Sequence, residues 1–182
     1  MSNFRIESDS MGTLDVPANA LYKAQTQRAI NNFTISNLTM PQQFIIALAY
    51  IKQAAALTNL KLGHLDKTKA NAIEHACQEI IDGQHYEHFP VDIFQTGSGT
   101  SSNMNANEVI ASLASKHANQ PIHPNDDVNM GQSSNDVIPT AIALSSAISV
   151  DKKLLPALAN LADALEQKKA DIGHVVKTGR TH

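Results

Sequence analysis

A chain of 182 residues with 42% apolar but only 4% aromatic side chains, rich in alanine and without tryptophan, suits closely packed helices better than a sheet. Fourteen basic residues against 17 acidic ones leave a net charge of −3, which offers no basic footprint for nucleic acid. The single cysteine, Cys77, allows no intrachain disulfide and fits a reducing, cytoplasmic setting, no apolar run approaches the roughly 18 residues of a membrane span, and "MSNFRIESDSMG" has no secretory-signal core.

In chain order, residues 4–16, "FRIESDSMGTLDV", alternate loosely around Met11-Gly12 and predict a short hairpin or extended arm. Residues 41–62 predict a helix: Phe44, Leu48, Ile51, Ala55 and Leu62 recur at helical spacing, Pro41 falls in the first turn, and Gly63 stops it. A second helix is expected over 66–82, capped by Asp66, striped by Ile73, Cys77 and Ile80, and ended by Gly83. Residues 84–100 read as irregular. A third helix is expected over 102–117, with Val109, Ile110 and Leu113 inward, and 118–134 is again irregular and polar.

The last predicted helix runs from about Asn135 to Lys169, roughly 50 Å at about 1.5 Å per residue. Val137, Ala141, Leu144 and Ile148 stripe its first half; Leu155, Leu158, Ala162 and Leu165 stripe its second. Pro139 is tolerable in the first turn, and Pro156 predicts a kink. A stripe of this length needs partners that the remaining chain does not supply. The sequence therefore reads as the front part of a larger protein, with "GHVVKTGRTH" an extended tail.

Three polar clusters carry chemistry. In "TGSGTSSNMNANE" (96–108), Gly97 and Gly99 let the backbone approach a ligand, hydroxyls cluster at Ser98, Thr100, Ser101 and Ser102, and a helix start presents unpaired N–H groups. Ser133, Ser134 and Asn135 repeat the device before the last helix, after a separate turn at His123-Pro124-Asn125-Asp126. "TGRTH" (178–182) places an Arg, a hydroxyl and an imidazole behind a glycine, and His182 can move a proton near neutral pH. Each cluster alone is more simply a helix cap or a turn. Together they suit a small polycarboxylate held by oriented neutral donors. Metal binding is not expected: His85 and His88 lack a third ligand by spacing, and Cys77 lies on an apolar stripe. No P-loop, dinucleotide fingerprint or nucleophile elbow occurs.

The stretches "DSMGTLDVPANALYKAQTQRA" (9–29), "GSGTSSNMNANEV" (97–109), "HPNDDVNMGQSSNDVIPTA" (123–141) and "KTGRTH" (177–182) resemble, in order and spacing, motifs of the fumarase/aspartase superfamily. Aspartate ammonia-lyases typically read Gln-Ser-Thr-Asn-Asp and Gly-Arg-Thr-Gln at the last two motifs. This chain reads Gln132-Ser133-Ser134-Asn135-Asp136 and Gly179-Arg180-Thr181-His182, which resembles class II fumarate hydratases instead. One departure is "NMGQ" (129–132), where members often carry a Lys and a Ser before the Gln.

The resemblance implies a mainly α protein: an N-terminal lyase domain over 1–132, and over 133–182 the start of a central helical bundle. It implies reversible hydration of fumarate to (S)-malate in the tricarboxylic acid cycle, without metal or organic cofactor, by a cytoplasmic homotetramer that binds neither nucleic acid nor membrane. By the same resemblance Ser98, Gly99, Thr100, Ser133, Ser134, Asn135 and Thr181 bind substrate, His182 is catalytic, and His123, Pro124, Asn125 and Asp126 form an accessory carboxylate site. The family's loop serine and the carboxylate that tunes His182 would lie past residue 182, so this stretch alone is expected to be inactive. Aspartate ammonia-lyase activity and a non-catalytic anion-binding fragment are the alternative readings.

Overall fold

The computed structural model describes residues 3–181. The chain divides between Ser145 and Ser146 into two compact units. The first opens with an antiparallel hairpin, β1 (Phe4–Asp9) and β2 (Gly12–Pro17), in register from Phe4 opposite Pro17 to Asp9 opposite Gly12. Gly12, at φ +111°, takes the turn conformation that side chains resist, and Asp9 Oδ1 accepts the Met11 N–H at 2.9 Å. Arg5 then gathers the chain after β2 by donating to the carbonyls of Pro17, Ala18, Ala20 and Tyr22 at 2.7–3.2 Å.

That gathered loop leads into α1 (Ala24–Asn32), a helix that the apolar spacing does not signal. Its start is stabilised from far along the chain. The carboxylate of Glu108, 3% exposed, accepts the N–H groups of Lys23, Gln25 and Thr26 at 2.8, 3.1 and 3.1 Å. These are among the donors that a helix start leaves unpaired, so α1 exists where Glu108 can reach it. Arg28 in α1 grips Asp9 with two hydrogen bonds of 2.7 and 2.9 Å and so fastens the hairpin to the helix.

The core lies among α2 (Gln42–Lys61), α3 (Lys67–Ile81) and α4 (Thr100–Ala118), where α3 packs against both others. Phe44, Leu48, Ile73, Cys77, Ile80, Val109, Ile110 and Leu113 are buried as their spacing predicts. Between them Ala47, Ala70, Ala76, Ala111 and Ala114 have no exposed surface, and these small side chains let the helices approach closely. Asp66 caps α3 by accepting the Lys69 N–H at 3.0 Å.

Three expectations change. Pro41 precedes α2 as its cap residue, with extended ψ of 147°, because the residue holding the chain before a helix takes non-helical angles. Leu62 is 63% exposed at the end of α2, and the buried position on that helix goes to Lys52. Helix α4 begins at Thr100, two residues earlier than its apolar pattern suggests. The first turns of α5 (Ser134–Ser149) complete the core with Val137, Ile138 and Ala141.

In the second unit a widened turn at Val150–Leu154 is followed by α6 (Leu155–Ile172). The single helix expected over 135–169 is thus two α-helices. Pro156 has no N–H to give, and its ring presses on the carbonyl four residues back. The turn before it accommodates this: the Leu155 N–H reaches back five residues to the Val150 carbonyl. Every described residue from Val150 onward is exposed, including Leu155, Leu158, Leu161 and Leu165 at 51–62%. Among the described residues no helix is long and apolar enough to cross a membrane.

Candidate functional site

The start of α4 is prepared by the loop before it. Asp92 is buried, and the Phe94 N–H, followed by the N–H groups of Ser36 and Asn37 and the Ser36 hydroxyl, holds its carboxyl below the usual carboxylate range. Gln95 supplies the cap: its Oε1 accepts the Ser102 N–H at 2.8 Å, and its Nε2 donates to Ser102 Oγ at 2.8 Å and to the Asp92 carbonyl at 3.0 Å. Capping therefore does not consume the Ser98 and Thr100 hydroxyls. They share a 3.0 Å hydrogen bond with each other and face solvent.

Gly99 stands between them at φ +65°. A Cβ there would lie 2.9 Å from Ile138 Cγ1, so a glycine is what lets the second turn of α5 seat on the start of α4. A second tie lies alongside: Asn103, 1% exposed, donates from Nδ2 to Ser134 Oγ at 3.0 Å and to Asn129 Oδ1 at 3.2 Å. The structure thus seats the start of α4, at Gly99 and Asn103, on the first turns of α5, at Ser134 and Ile138. Ser133 acts as the cap that its position suggests, its Oγ accepting the Asn135 N–H at 3.3 Å, while the Asn135 side chain is exposed.

The loop leading to α5 is organised around a buried lysine. Lys52 Nζ donates to Asn129 Oδ1 at 2.8 Å and to Gln132 Oε1 at 2.9 Å, and burial pushes its pKa down to about 7. Asn129 Nδ2 returns to the Gln132 carbonyl, Gln132 Nε2 to the Val128 carbonyl, and Asn59 Nδ2 to the Met130 carbonyl. The departure at residues 129–132 accordingly forms an ordered loop in which both amide side chains are used.

His123, Pro124, Asn125 and Asp126 fall on a wide turn over Pro124–Val128. His123 Nδ1 accepts the Asp126 N–H at 3.1 Å; His123, Asn125 and Asp126 are exposed. Beneath them Asp127 anchors the turn, accepting from Lys69 Nζ at 2.8 and 2.9 Å and from the His123 N–H at 2.8 Å. Thr181 is exposed in the segment after α6, and His182 lies outside the described residues.

Several residues of the site carry no signal by motif. Lys52 is legible in hindsight, since it stands four residues from both Leu48 and Ala56 on one buried face. Gln95 and Asn103 act through long-range partners that spacing does not name. The sequence reading names no metal-ligand set, and two groups of potential ligands lie close together among the described residues. Helix packing brings His75, Glu79 and His117 together, and Glu87 supplies the third potential ligand beside His85 and His88. The first set depends on α3 packing against α4, whereas the second lies within residues 85–88.

A family model described as lyase matches residues 12–182. The fumarate hydratase class II of Xylella fastidiosa (strain 9a5c) is 58% identical over 185 residues, spanning 100% of this chain and 39% of its own length. A fumarate hydratase class II of Pseudomonas aeruginosa is 53% identical, with 100% of this chain and 40% of the relative covered. The crystal structure of fumarate lyase:delta crystallin from Brucella melitensis in native form superposes with a TM-score of 0.91 at 47% identity, over 99% of this chain and 44% of that one. Recombinant class II fumarase from Schistosoma mansoni gives 0.91 at 45% identity, over 98% and 39%. The chain spans about 40% of the length of the curated relatives it matches.

Proposed function

The chain belongs to this lyase family, and from that premise we propose that the whole protein is a class II fumarate hydratase, adding water reversibly to fumarate to give (S)-malate in the tricarboxylic acid cycle. The observation that carries the site is the junction of two helix starts. Gln95 caps α4 in place of its own hydroxyls, and the Gly99–Ile138 contact and the Asn103–Ser134 bond hold α5 beside them.

The chemistry explains why such a junction is useful. The proton removed from malate is weakly acidic, and the anion left behind gathers charge next to a carboxylate. Donors already in place stabilise that charge without reorganising, and neutral donors do so without trapping the dianionic product. In this reading Ser98, the Gly99 backbone, Thr100, Ser133, Ser134, Asn135 and Thr181 hold the substrate carboxylates. His182 moves the proton on the water or hydroxyl. His123, Pro124, Asn125 and Asp126 make an accessory carboxylate site on the surface turn. Residues 1–132 form the N-terminal lyase domain, and 133–182 begin a central helical bundle. The exposed leucines of α6 support assembly into a homotetramer, and in this reading the enzyme works in the cytoplasm.

The test is the loss of fumarate absorbance in the presence of the full-length protein, with malate as product. Ammonia release from aspartate without fumarate hydration would assign the protein to the sibling activity instead. The names of the relatives, fumarate hydratases of class II, support the hydratase over the ammonia-lyase.

A further inference from the structure

At the far end of α4 from the hydroxyl cluster, α3 and α4 build a second constellation around one carboxylate. Glu79 lies in the last turn of α3, His75 one turn before it, and His117 in the last turn of α4. Glu79 Oε1 is 2.8 Å from His117 Nε2 and 3.4 Å from His75 Nδ1, and those two nitrogens are 3.1 Å apart. The other carboxylate oxygen, Oε2, is held at 2.8 Å by His85 Nε2. His85 itself sits at φ 68°, a conformation a non-glycine residue adopts at a cost of about 1–2 kcal/mol.

The three converging atoms form a triangle with edges of 2.8, 3.1 and 3.4 Å. In a tetrahedral site with bonds of about 2.0–2.1 Å, neighbouring ligands stand about 3.3 Å apart. The same triangle is poorly served by protons alone. With a hydrogen on His117 Nε2 alone, Glu79 Oε1 and His75 Nδ1 compete for it, and a second hydrogen on His75 Nδ1 sets two N–H donors 3.1 Å apart. One dication at the centre satisfies all three.

We propose that His75 Nδ1, Glu79 Oε1 and His117 Nε2 bind a divalent transition-metal ion of the zinc class, with His85 orienting the carboxylate. Two imidazoles and one carboxylate are the donor set that suits zinc, cobalt or nickel rather than calcium or magnesium. A carboxylate whose second oxygen is hydrogen-bonded presents its first oxygen in a fixed direction. His75 and His117 also line an open surface depression of about 450 Å³, together with Lys67, Thr68, Asn71, Ala72 and Ala118, from which water can complete the coordination. From Thr100 to His117 is about 25 Å along the helix at about 1.5 Å per residue. The ion therefore acts as a staple between α3 and the end of α4, apart from the hydration chemistry.

The experiment titrates Zn²⁺ into chelator-treated protein without a histidine tag, followed by calorimetry and thermal melting, with Co²⁺ as a spectroscopic probe. The wild type is expected to bind one equivalent, to melt at a higher temperature with Zn²⁺, and to give the intense visible absorption of tetrahedral Co²⁺. His117→Gln and His75→Gln are each expected to weaken binding by at least about 10-fold and to remove that absorption, since each deletes a ligand. The His75 side chain is 64% exposed, so its replacement leaves the fold intact even if that of His117 does not. His85→Gln keeps all three ligands and is expected to weaken binding by about 10-fold. Absence of stoichiometric binding by the wild type would overturn the proposal. So would binding that survives His75→Gln and His117→Gln, or that is lost with His88→Gln, which would assign the ion to the neighbouring His85, Glu87 and His88 set.

Discussion

Gly99 lies so close beneath Ile138 that a Cβ built on it would stand 2.9 Å from the isoleucine Cγ1. The contact joins the start of α4 to the second turn of α5, and the backbone at Gly99 has a φ of +65°. Gly99→Ala therefore meets two penalties together, the left-handed backbone and a packed neighbour. The expected loss is about 2–4 kcal/mol of unfolding free energy in urea. Ile138→Ala opens the space at its own cost in core packing, so Gly99→Ala should cost less in that background than in the parent. Equal stability of Gly99→Ala and the parent would show that the junction is slack.

Glu108 offers a test of how α1 is held. Glu108→Ala removes the acceptor for the N–H groups of Lys23, Gln25 and Thr26. Stability should fall by about 2–4 kcal/mol, the scale for orphaning buried polar groups. Hydrogen exchange should show lost protection over residues 24–28 before any loss in α3. Protection lost uniformly along the chain would mean that Glu108 supports the whole core and not this helix start.

Lys52 predicts a pH dependence. Burial lowers its pKa from 10.5 in the open chain to about 7 in the fold. The folded state thus holds fewer protons than the unfolded state above pH 7, and stability rises with pH there; it is lost as pH falls through about 7. Cys77 opposes this from about pH 9 upward, because burial raises its thiol above the open-chain value of 9.0. Between pH 7 and 9 the unfolding free energy should rise by up to about 2–3 kcal/mol. The Asn129 and Gln132 oxygens favour the ammonium form and make this an upper bound. In Lys52→Met the rise should disappear; an unchanged slope would mean that other groups produce it.

The division of labour between the two histidines is a kinetic question for the full-length protein. His182→Asn should lower turnover by about 10² or more, the usual scale for a positioned acid–base group. KM should change less, because the hydroxyl and helix-end donors remain. His123→Asn should leave turnover nearly intact. A collapse at His123 as large as that at His182 would contradict an accessory role.

Much of the fold is legible in the residues themselves. The hairpin at Met11-Gly12, the spans of α2 and α3 within a residue or two, the Asp66 cap and the inward faces of α3 and α4 follow from apolar period and cap chemistry. These signals act within one or two helical turns, and the sequence displays everything they need. The clusters at 97–100 and 133–135 were visible for the same reason.

What only the tertiary structure decided depends on partners far apart in the chain. Helix α1 begins where a carboxylate 82–85 residues away can reach its N–H groups. Lys52 is buried because two amide oxygens 77 and 80 residues on accept from it. His75 and Glu79 meet His117 because α3 and α4 pack. The capping reading of the Ser98–Thr100 hydroxyls fails because Gln95 performs that task. In each case the local pattern is compatible with several outcomes of similar energy. A polar group removed from water must find a partner, and the fold alone determines which one is within about 3 Å.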